Sequence, residues 1–334
     1  MRAAPLTSAQ LDAWSARSEI AGSPLSARRF LLVDADVRLP PRRAARIARW
    51  LRAQPCPTLA AGPRRGALAR ACDVHVASLD EAAALAQQVQ RQPMAAATLV
   101  QLLRVTGRLP VEDALTAESL AYATLQAGAE HRRWLASRTR PPVPPREAGP
   151  PVLLRRKGTT LEVELNRPAA RNAISAGMRD ALNEAFALVA DDPSIRRAHV
   201  SGRGKCFSIG GELAEFGTVP DAATGHAVRQ LSLPARALLR CGGRVSFHLH
   251  GACIGAGLEL PAFAARVTAS PRTWFQLPEL AMGLIPGAGG CVSLPRRVGR
   301  QQAAAWMISG ERFDAGEARA AGLVDALREA APTS

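Results

Sequence analysis

The stretch HGACIGAGLEL, residues 250–260, concentrates backbone flexibility and a single charge in one apolar segment. Three glycines, Gly251, Gly255 and Gly257, crowd one turn, and an isolated Glu259 follows them among leucines. Glycine tolerates backbone conformations that other residues avoid, so the segment predicts a tight turn that leads into a helix. A carboxylate on an otherwise apolar helix is expensive to bury, and a chemical role would explain its presence.

The elements around this stretch predict an α/β layered domain. TLEVEL, residues 160–165, alternates as a strand does, and residues 175–192 predict an amphipathic helix with Ser175 as its N-cap. RRAHVSG and RVSFHLHG are two further predicted strands, and each leads into a glycine-rich turn. The first of these turns is GKCFSIGGEL, residues 204–213. Alternation of strands and helices is typical of layered α/β folds.

Neither glycine turn fits a nucleotide-binding motif. A phosphate-binding loop of the Walker type would need glycine where His199 stands and Ser or Thr where Cys206 follows Lys205. The dinucleotide fingerprint would need a third glycine where Leu260 stands. A glycine turn at a helix start nevertheless leaves backbone N–H groups unpaired and pointing outward. Two such turns, if they face each other, can form an oxyanion hole made of backbone.

Four segments together resemble the crotonase (enoyl-CoA hydratase/isomerase) superfamily. LNRPAARNAIS, GKCFSIGGEL, HGACIGAGLEL and PELAMGLIPGAGG occur in the order and spacing of that superfamily, over about residues 152–325. The resemblance implies a ββα spiral core and an acyl-CoA thioester as substrate. It implies no cofactor beyond the coenzyme A that the substrate carries.

The resemblance also implies the site residues. The oxyanion-hole donors fall on Gly211 and Ala256, and Ala256 stands where most members have glycine. The glutamate pair of the hydratase branch falls on Glu259 and Glu279. Hydration of an α,β-unsaturated thioester needs a base for water and a proton donor for Cα. We therefore expect Glu259 to orient and deprotonate water and Glu279 to exchange a proton at Cα.

Five further residues are implied as substrate-binding, namely Lys205, Ile209, Gly210, Gly255 and Gly287. Lys205 matches a position that contacts coenzyme A in some members, although an ordinary surface lysine would look the same. Gly287 matches a glycine whose backbone lies near the catalytic water.

Other reactions stay open at this point. An enoyl-CoA isomerase would use the same core, and a non-catalytic acyl-CoA-binding scaffold would keep it without chemistry. An added N-terminal domain is also found in the dioxygenase branch that oxidises dihydroxyphenylacetyl-CoA, but that branch does not use the glutamate pair, so Glu279 argues against it. Pro261 departs from the superfamily pattern, because it interrupts the helix that carries Glu259.

The chain divides at RPPVPPREAGPP, residues 140–151, a proline-rich linker. Residues 1–139 predict an additional N-terminal α/β or mostly helical domain, and residues 152–334 the crotonase-like domain. The N-terminal domain shows no catalytic constellation, so a structural or oligomerisation role is favoured. Superfamily members continue through several helices after the position of Asp325. We therefore expect residues 79–139 to cover the core instead, in a homo-oligomer built from trimers, as a trimer or hexamer.

Composition excludes several function classes. The net charge of +15 is the difference between 43 basic and 28 acidic residues. Only Lys157 and Lys205 among the basic residues are lysines. A GC-rich genome would produce such an arginine-rich chain, so the charge requires no nucleic-acid partner. No apolar run approaches a membrane span and no signal peptide is evident, so a cytoplasmic location is expected. The cysteines form no CxxC pair, and the His248–His250 pair has no third ligand nearby, so no metal site is expected.

Overall fold

A computed structural model of the chain describes residues 4–139 and 149–329. Its helices are α1 (Ser8–Ala16), α2 (Pro41–Ala53), α3 (Ala67–Ala71), α4 (Leu79–Arg91), α5 (Pro93–Thr106), α6 (Val111–Gln126), α7 (Ala129–Ser137), α8 (Ala176–Asp191), α9 (Ala222–Ser232), α10 (Pro234–Cys241), α11 (Ala256–Glu259), α12 (Gly290–Val298), α13 (Arg300–Ser309) and α14 (Ala315–Ala320). Its strands are β1 (Leu31–Asp34), β2 (Thr58–Ala61), β3 (Val74–Val76), β4 (Val152–Lys157), β5 (Thr160–Leu165), β6 (Arg197–Gly202), β7 (Val245–Leu249), β8 (Ala252–Ile254), β9 (Arg266–Ala269), β10 (Trp274–Gln276), β11 (Phe313–Asp314) and β12 (Ala326–Leu327). Most of the predicted linker, residues 140–148, lies outside the described residues.

The C-terminal half is built on a six-stranded sheet in the order β12-β9-β7-β6-β5-β4. Strands β4 and β5 are antiparallel, and every other pair is parallel, with helices in the connections. Alternate residues of β5 face the core, as the predicted alternation requires. Helix α8 begins where predicted, because the Ser175 hydroxyl accepts a hydrogen bond from the Met178 N–H at 3.3 Å.

A smaller sheet, in the order β11-β10-β8, carries the glycine-rich stretch. Strand β8 leads directly into α11, which ends after a single turn at Glu259. A 3-10 turn, Pro261–Phe263, follows it, so the predicted interruption of this helix by Pro261 is confirmed. The short helix leaves Glu259 one turn from the end of β8, next to the glycines.

The N-terminal segment is mostly helical and contains one small sheet, as the sequence predicts. Strands β1, β2 and β3 form a parallel sheet. They lie within three short stretches that the sequence predicts as strands, FLLVDA (30–35), CPTLAAG (56–62) and CDVHVAS (72–78). A compact apolar cluster that includes Leu11, Ile47 and Leu51 packs this sheet against α1 and α2. Helices α4–α7 do not belong to that cluster. They extend toward the C-terminal half instead.

Helices α4–α7 pack on the C-terminal half of the same chain. A second cluster of buried residues runs without a break from Phe30 through α5 and α6 to Val324. Polar contacts cross the same boundary: the Thr106 hydroxyl donates to the Cys291 carbonyl at 3.2 Å, and Arg300 pairs with buried Asp73 at 3.0 Å. The predicted packing of residues 79–139 against the core is therefore confirmed, within one chain. None of the helices in 4–139 and 149–329 is long and apolar enough to cross a membrane.

Candidate active site

A cavity of about 520 Å³ lies between the two halves of the chain. Its walls come from α6, α8, α9, α11 and the loops after β6 and before α12. Both candidate glutamates and both candidate oxyanion-hole residues border this single cavity: Gly211, Ala256, Glu259 and Glu279. A pocket at the carboxyl ends of parallel strands is the common ligand site of open α/β sheets.

The two glycine turns meet because their flanking residues pair as short strands. The Phe207 N–H donates to the His250 carbonyl at 2.8 Å, and the Ile254 N–H donates to the Ser208 carbonyl at 3.0 Å. Gly210 (φ +84°) sits so close to the second turn that a Cβ on it would lie 2.6 Å from the Ile254 carbonyl oxygen. Only glycine permits both that φ and that approach.

The candidate oxyanion hole consists of two backbone N–H groups, those of Gly211 and Ala256. The position that a Cβ would take on neighbouring Gly210 is 3.5 Å from the Ala256 nitrogen, so the two turns are in contact at this point. Within residues 4–139 and 149–329, neither N–H group donates a hydrogen bond to the protein. Both residues line the cavity, so these donors are available to a ligand oxygen there.

Glu259 is almost completely buried, with 2% of its surface exposed. Its Oε2 atom accepts hydrogen bonds from the Ala288 N–H at 2.8 Å and the Gly290 N–H at 2.9 Å. The Ser293 hydroxyl donates to its backbone carbonyl at 2.8 Å, which fixes the residue further. Burial raises the pKa of Glu259 to about 7, against the lowering effect of the two N–H donors.

Glu279 begins a 3-10 turn after β10 and points at the same place as Glu259. Oxygen atoms of both carboxylates lie within 4 Å of the position that a Cβ would occupy on Gly255 (φ +50°). The Oε2 atom of Glu279 is buried and, among the described residues, has no hydrogen-bond partner. Burial, and after it the charge of Glu259, raise the pKa of Glu279 well above that of an ordinary glutamate.

The N-terminal segment contributes a third buried carboxylate. Glu118 of α6 is 1% exposed, and its two oxygens accept hydrogen bonds from the Gly289 and Cys291 N–H groups, both at 2.7 Å. Four consecutive backbone N–H groups, those of residues 288–291, therefore donate alternately to two carboxylates. The N–H groups of residues 288 and 290 donate to Glu259, and those of residues 289 and 291 donate to Glu118. Burial, followed by the charge of Glu259, raises the pKa of Glu118.

Helix α6 also supplies Tyr122 to the cavity wall. Its ring lies against Gly287, where a Cβ would come within 2.3 Å of the ring. The Arg229 guanidinium also stacks on the Tyr122 ring, 4.3 Å from the ring centroid. Ser119 holds this arginine through a 3.2 Å hydrogen bond and is itself bonded to His226 at 2.9 Å. The cavity therefore has one wall from each half of the chain.

The remaining predicted residues divide into two groups. Gly210 and Gly255 lie at the junction of the turns and the carboxylates, and Gly287 lines the cavity against Tyr122. Lys205 is exposed, and neither it nor Ile209 is among the cavity-lining residues. Their predicted role in substrate binding stays a prediction.

The two histidines considered as a metal pair make hydrogen bonds to the protein. His248 is bonded to the Thr268 hydroxyl at 3.1 Å and His250 to the Gly204 carbonyl at 3.0 Å. Over the part of the chain that the structure describes, no group of three His, Cys, Asp or Glu residues is arranged to hold a metal ion.

Sequence reasoning missed the contribution of α6, having assigned no site residue to the N-terminal segment. Glu118, Tyr122 and Gln126 are spaced four residues apart, so they share one face of the helix. A glutamate, a tyrosine and a glutamine on one face of a largely apolar helix are the same signal that singled out Glu259. That signal locates a functional face but not the surface that it meets.

Comparison with known proteins identifies the family of the C-terminal half. Residues 155–331 match the sequence model of the family described as enoyl-CoA hydratase/isomerase. The 2,3-dehydroadipyl-CoA hydratase of Escherichia coli (strain K12) is 35% identical over 173 residues, which are 52% of this chain and 67% of that protein. The mitochondrial enoyl-CoA hydratase of Pongo abelii is 30% identical over 167 residues, 49% of this chain and 56% of that protein. The chain thus spans between about half and two thirds of the length of these curated relatives.

Solved structures give the same result. The enoyl-CoA hydratase from Thermoplasma volcanium GSS1 superimposes with a TM-score of 0.50 at 32% identity, over 54% of this chain and 72% of that one. The enoyl-CoA hydratase of Mycobacterium smegmatis gives a TM-score of 0.50 at 31% identity, over 54% and 70% of the two chains. Because the family match covers more than half of its residues, the chain belongs to the enoyl-CoA hydratase/isomerase family, within the crotonase superfamily.

Proposed function

We propose that the protein adds water to a 2-enoyl-CoA thioester through Glu259, Glu279 and a backbone oxyanion hole at Gly211 and Ala256. The observation that carries the proposal is the convergence of two buried carboxylates on Gly255, beside two N–H groups that have no partner among the described residues. Family membership supports the same substrate class. Coenzyme A enters as part of the substrate, and the proposal requires no further cofactor.

In the proposed reaction, Glu259 takes a proton from water while the water oxygen bonds to Cβ of the thioester. The electrons of the Cα–Cβ double bond shift toward the carbonyl, whose oxygen gathers enolate charge. The N–H groups of Gly211 and Ala256 stabilise that charge, and such a donor is typically worth ~10²–10³ in rate. Glu279 then gives its proton to Cα. One proton transfer from Glu259 to Glu279 restores the starting state.

The electrostatics of the pair support these roles. With the pKa of Glu259 near 7, a substantial fraction of this carboxylate is ionised at neutral pH and can act as a base. Burial, and after it the charge of Glu259, raise the pKa of Glu279 well above that of an ordinary glutamate, which favours the protonated carboxyl that a proton donor requires. The Oε2 atom of Glu259 is occupied by two N–H donors, which leaves Oε1 for water.

The test is turnover of 2-enoyl-CoA by the purified full chain, with the 3-hydroxyacyl-CoA product identified. We expect Glu279→Gln to lower kcat by at least ~10²–10⁴, the usual contribution of general acid–base groups, with little change in acyl-CoA affinity. The exposed Glu311→Gln is the matched control and should keep parental turnover. Parental turnover in Glu279→Gln would remove the mechanism.

The same assay separates the alternatives. A shifted double bond without hydration would identify an isomerase, and oxygen consumption with an arylacetyl-CoA would identify a dioxygenase. Binding of acyl-CoA without turnover of any thioester would identify a scaffold. The homo-oligomer and the cytoplasmic location stay predictions, and light scattering of the full chain would measure the first of them.

A further inference from the structure

Two arginines border the cavity, and neither donates a hydrogen bond to a carboxylate of a described residue. Arg179 lies on α8 and Arg229 on α9, and both line the cavity that holds the candidate glutamates. Arg179 reaches only its sequence neighbour Asp180, at 4.0 Å, and its Nε atom is buried with no hydrogen-bond partner among the described residues. Arg229 makes no ion pair with any described residue. Buried guanidinium groups are normally paired, because desolvating an unpaired charge is costly.

The position of Arg229 is nevertheless fixed. Its guanidinium stacks on Tyr122, and its Nε and Nη2 atoms donate to the hydroxyl and carbonyl oxygens of Ser119, at 3.2 and 3.4 Å. These contacts orient the group without a hydrogen bond to a carboxylate. Burial lowers the pKa of Arg229, neighbouring Tyr122 and Glu118 raise it, and the charge of nearby Arg179 lowers it. The two cations therefore act on each other within the same cavity.

The acidic residues along this wall make their hydrogen bonds and short ion pairs with groups other than these two arginines. Glu215 accepts the Ala176 N–H with both oxygens, at 3.0 and 3.1 Å. Glu212 lies 3.5 Å from Arg167. The cavity thus offers guanidinium groups on α8 and α9 that donate no hydrogen bond to a described carboxylate.

An uncharged polar group completes this region. The Oε1 atom of Gln126 is buried and, among the described residues, has no partner. Gln126 and Arg229 both approach the position that a Cβ would take on Gly225. The Oε1 atom of Gln126 is 2.9 Å from that position, and the Nη2 atom of Arg229 is 3.7 Å from it. Rotation of a carboxamide exchanges its oxygen and its NH2 group, so Gln126 can also present a donor to a ligand.

We propose that Arg179, Arg229 and Gln126 form a subsite for a free carboxylate carried by the acyl chain of the substrate. The ligand class is an acyl-CoA whose acyl group has a second, ionised carboxyl group away from the thioester. Arginine recognises carboxylates through paired N–H donors, and the apolar parts of the cavity accommodate the intervening chain. The inference rests on the proposed function only for the thioester end of the ligand.

The test measures binding, so it does not depend on turnover. Adipoyl-CoA and hexanoyl-CoA have the same chain length and differ only in a terminal carboxylate or methyl group, and neither has a double bond to hydrate. We expect the full chain to bind adipoyl-CoA roughly 10- to 100-fold more tightly in isothermal titration calorimetry, as charge-assisted hydrogen bonds predict. Equal affinities in the parent protein would overturn the proposal without any variant.

Arg179→Met is the informative variant, because this arginine makes few contacts within the protein. It should lose most of the preference for adipoyl-CoA while it keeps the parental affinity for hexanoyl-CoA. Arg197→Met, at an exposed arginine of β6, is the matched control and should keep the preference. A preference that persists in Arg179→Met would also overturn the proposal.

Coenzyme A itself carries phosphates, so a second pair of ligands separates the two anions. Adipoyl and hexanoyl esters of N-acetylcysteamine have no phosphate, and their relative affinities can be measured by competition. The proposal requires the adipoyl preference to survive in this pair. If Arg179→Met weakens both coenzyme A esters equally and neither cysteamine ester, the arginines bind the phosphates and the proposal fails. A preference for adipoyl-CoA without turnover of any enoyl thioester would sustain the subsite and refute the proposed hydration.

Discussion

Glu118 offers a direct test of how the N-terminal segment supports the candidate site. Its two oxygens each accept a backbone N–H at 2.7 Å, from Gly289 and Cys291. In Glu118→Gln one oxygen remains, and the new NH2 group faces the second N–H, so one buried donor loses its acceptor. A lost hydrogen bond to a charged group, or an unsatisfied buried donor, costs about 1–3 kcal/mol. At ~2–4 °C per kcal/mol for a large domain, Tm should fall by roughly 2–12 °C.

The same change should reach catalysis, because the 288–291 backbone holds Glu259 through its other two amides. A shift of this segment moves the proposed base, and misplacement by about 1 Å can cost ~10²-fold. We therefore expect kcat/KM to fall by roughly 10- to 100-fold. Glu112→Gln, an exposed glutamate on the same helix, makes the same chemical change without these contacts and should match the parent.

Thermal melting and steady-state turnover on the two variants and the parent provide the measurement. If Glu118→Gln keeps both the parental Tm and the parental kcat/KM, then its hydrogen bonds neither stabilise the loop nor position Glu259. A lower Tm with unchanged kcat/KM would restrict Glu118 to a structural role.

Three other changes test the rest of the site. The value of kcat/KM should fall as the pH drops through about 7, because protonation removes the Glu259 base. It should also fall at alkaline pH, where Glu279, with its raised pKa, loses its proton. A flat pH profile of kcat/KM would contradict both roles. Gly211→Pro deletes one oxyanion-hole donor and should lower kcat by ~10²–10³, whereas Ala256→Gly keeps its N–H and should stay near the parent; a large loss in the glycine variant would show that the methyl group shapes the site. A fragment that begins near Pro151 lacks α6 and exposes the apolar surface beneath it, so it should aggregate or lose activity. Size-exclusion chromatography and turnover assays measure the two effects. A soluble, fully active fragment would show that the N-terminal segment is dispensable.

Much of the C-terminal half follows from its sequence, because the determining features are local. The alternation of TLEVEL gave the edges of β5, Ser175 gave the start of α8, and Pro261 gave the end of α11. The resemblance of four motifs to the crotonase superfamily likewise identified Glu259 and Glu279 as candidates, and the structure brings both carboxylates to Gly255. Whether they perform the proposed chemistry is left to the experiments above.

The tertiary structure alone decided what surrounds those motifs. Glu118 and Gly289 are 171 positions apart in the chain, and nothing in either local sequence specifies that they meet. The contacts of Tyr122 with Gly287 and with Arg229 depend on the same docking of α6, here against the loop before α12 and against α9. Turns, caps and periodic faces are encoded within a few residues, whereas the partner of a face is selected by burial and shape complementarity summed over both halves of the chain. The sequence by itself therefore determined the glycine turns and the candidate glutamates, and only the packed chain decided which wall encloses them.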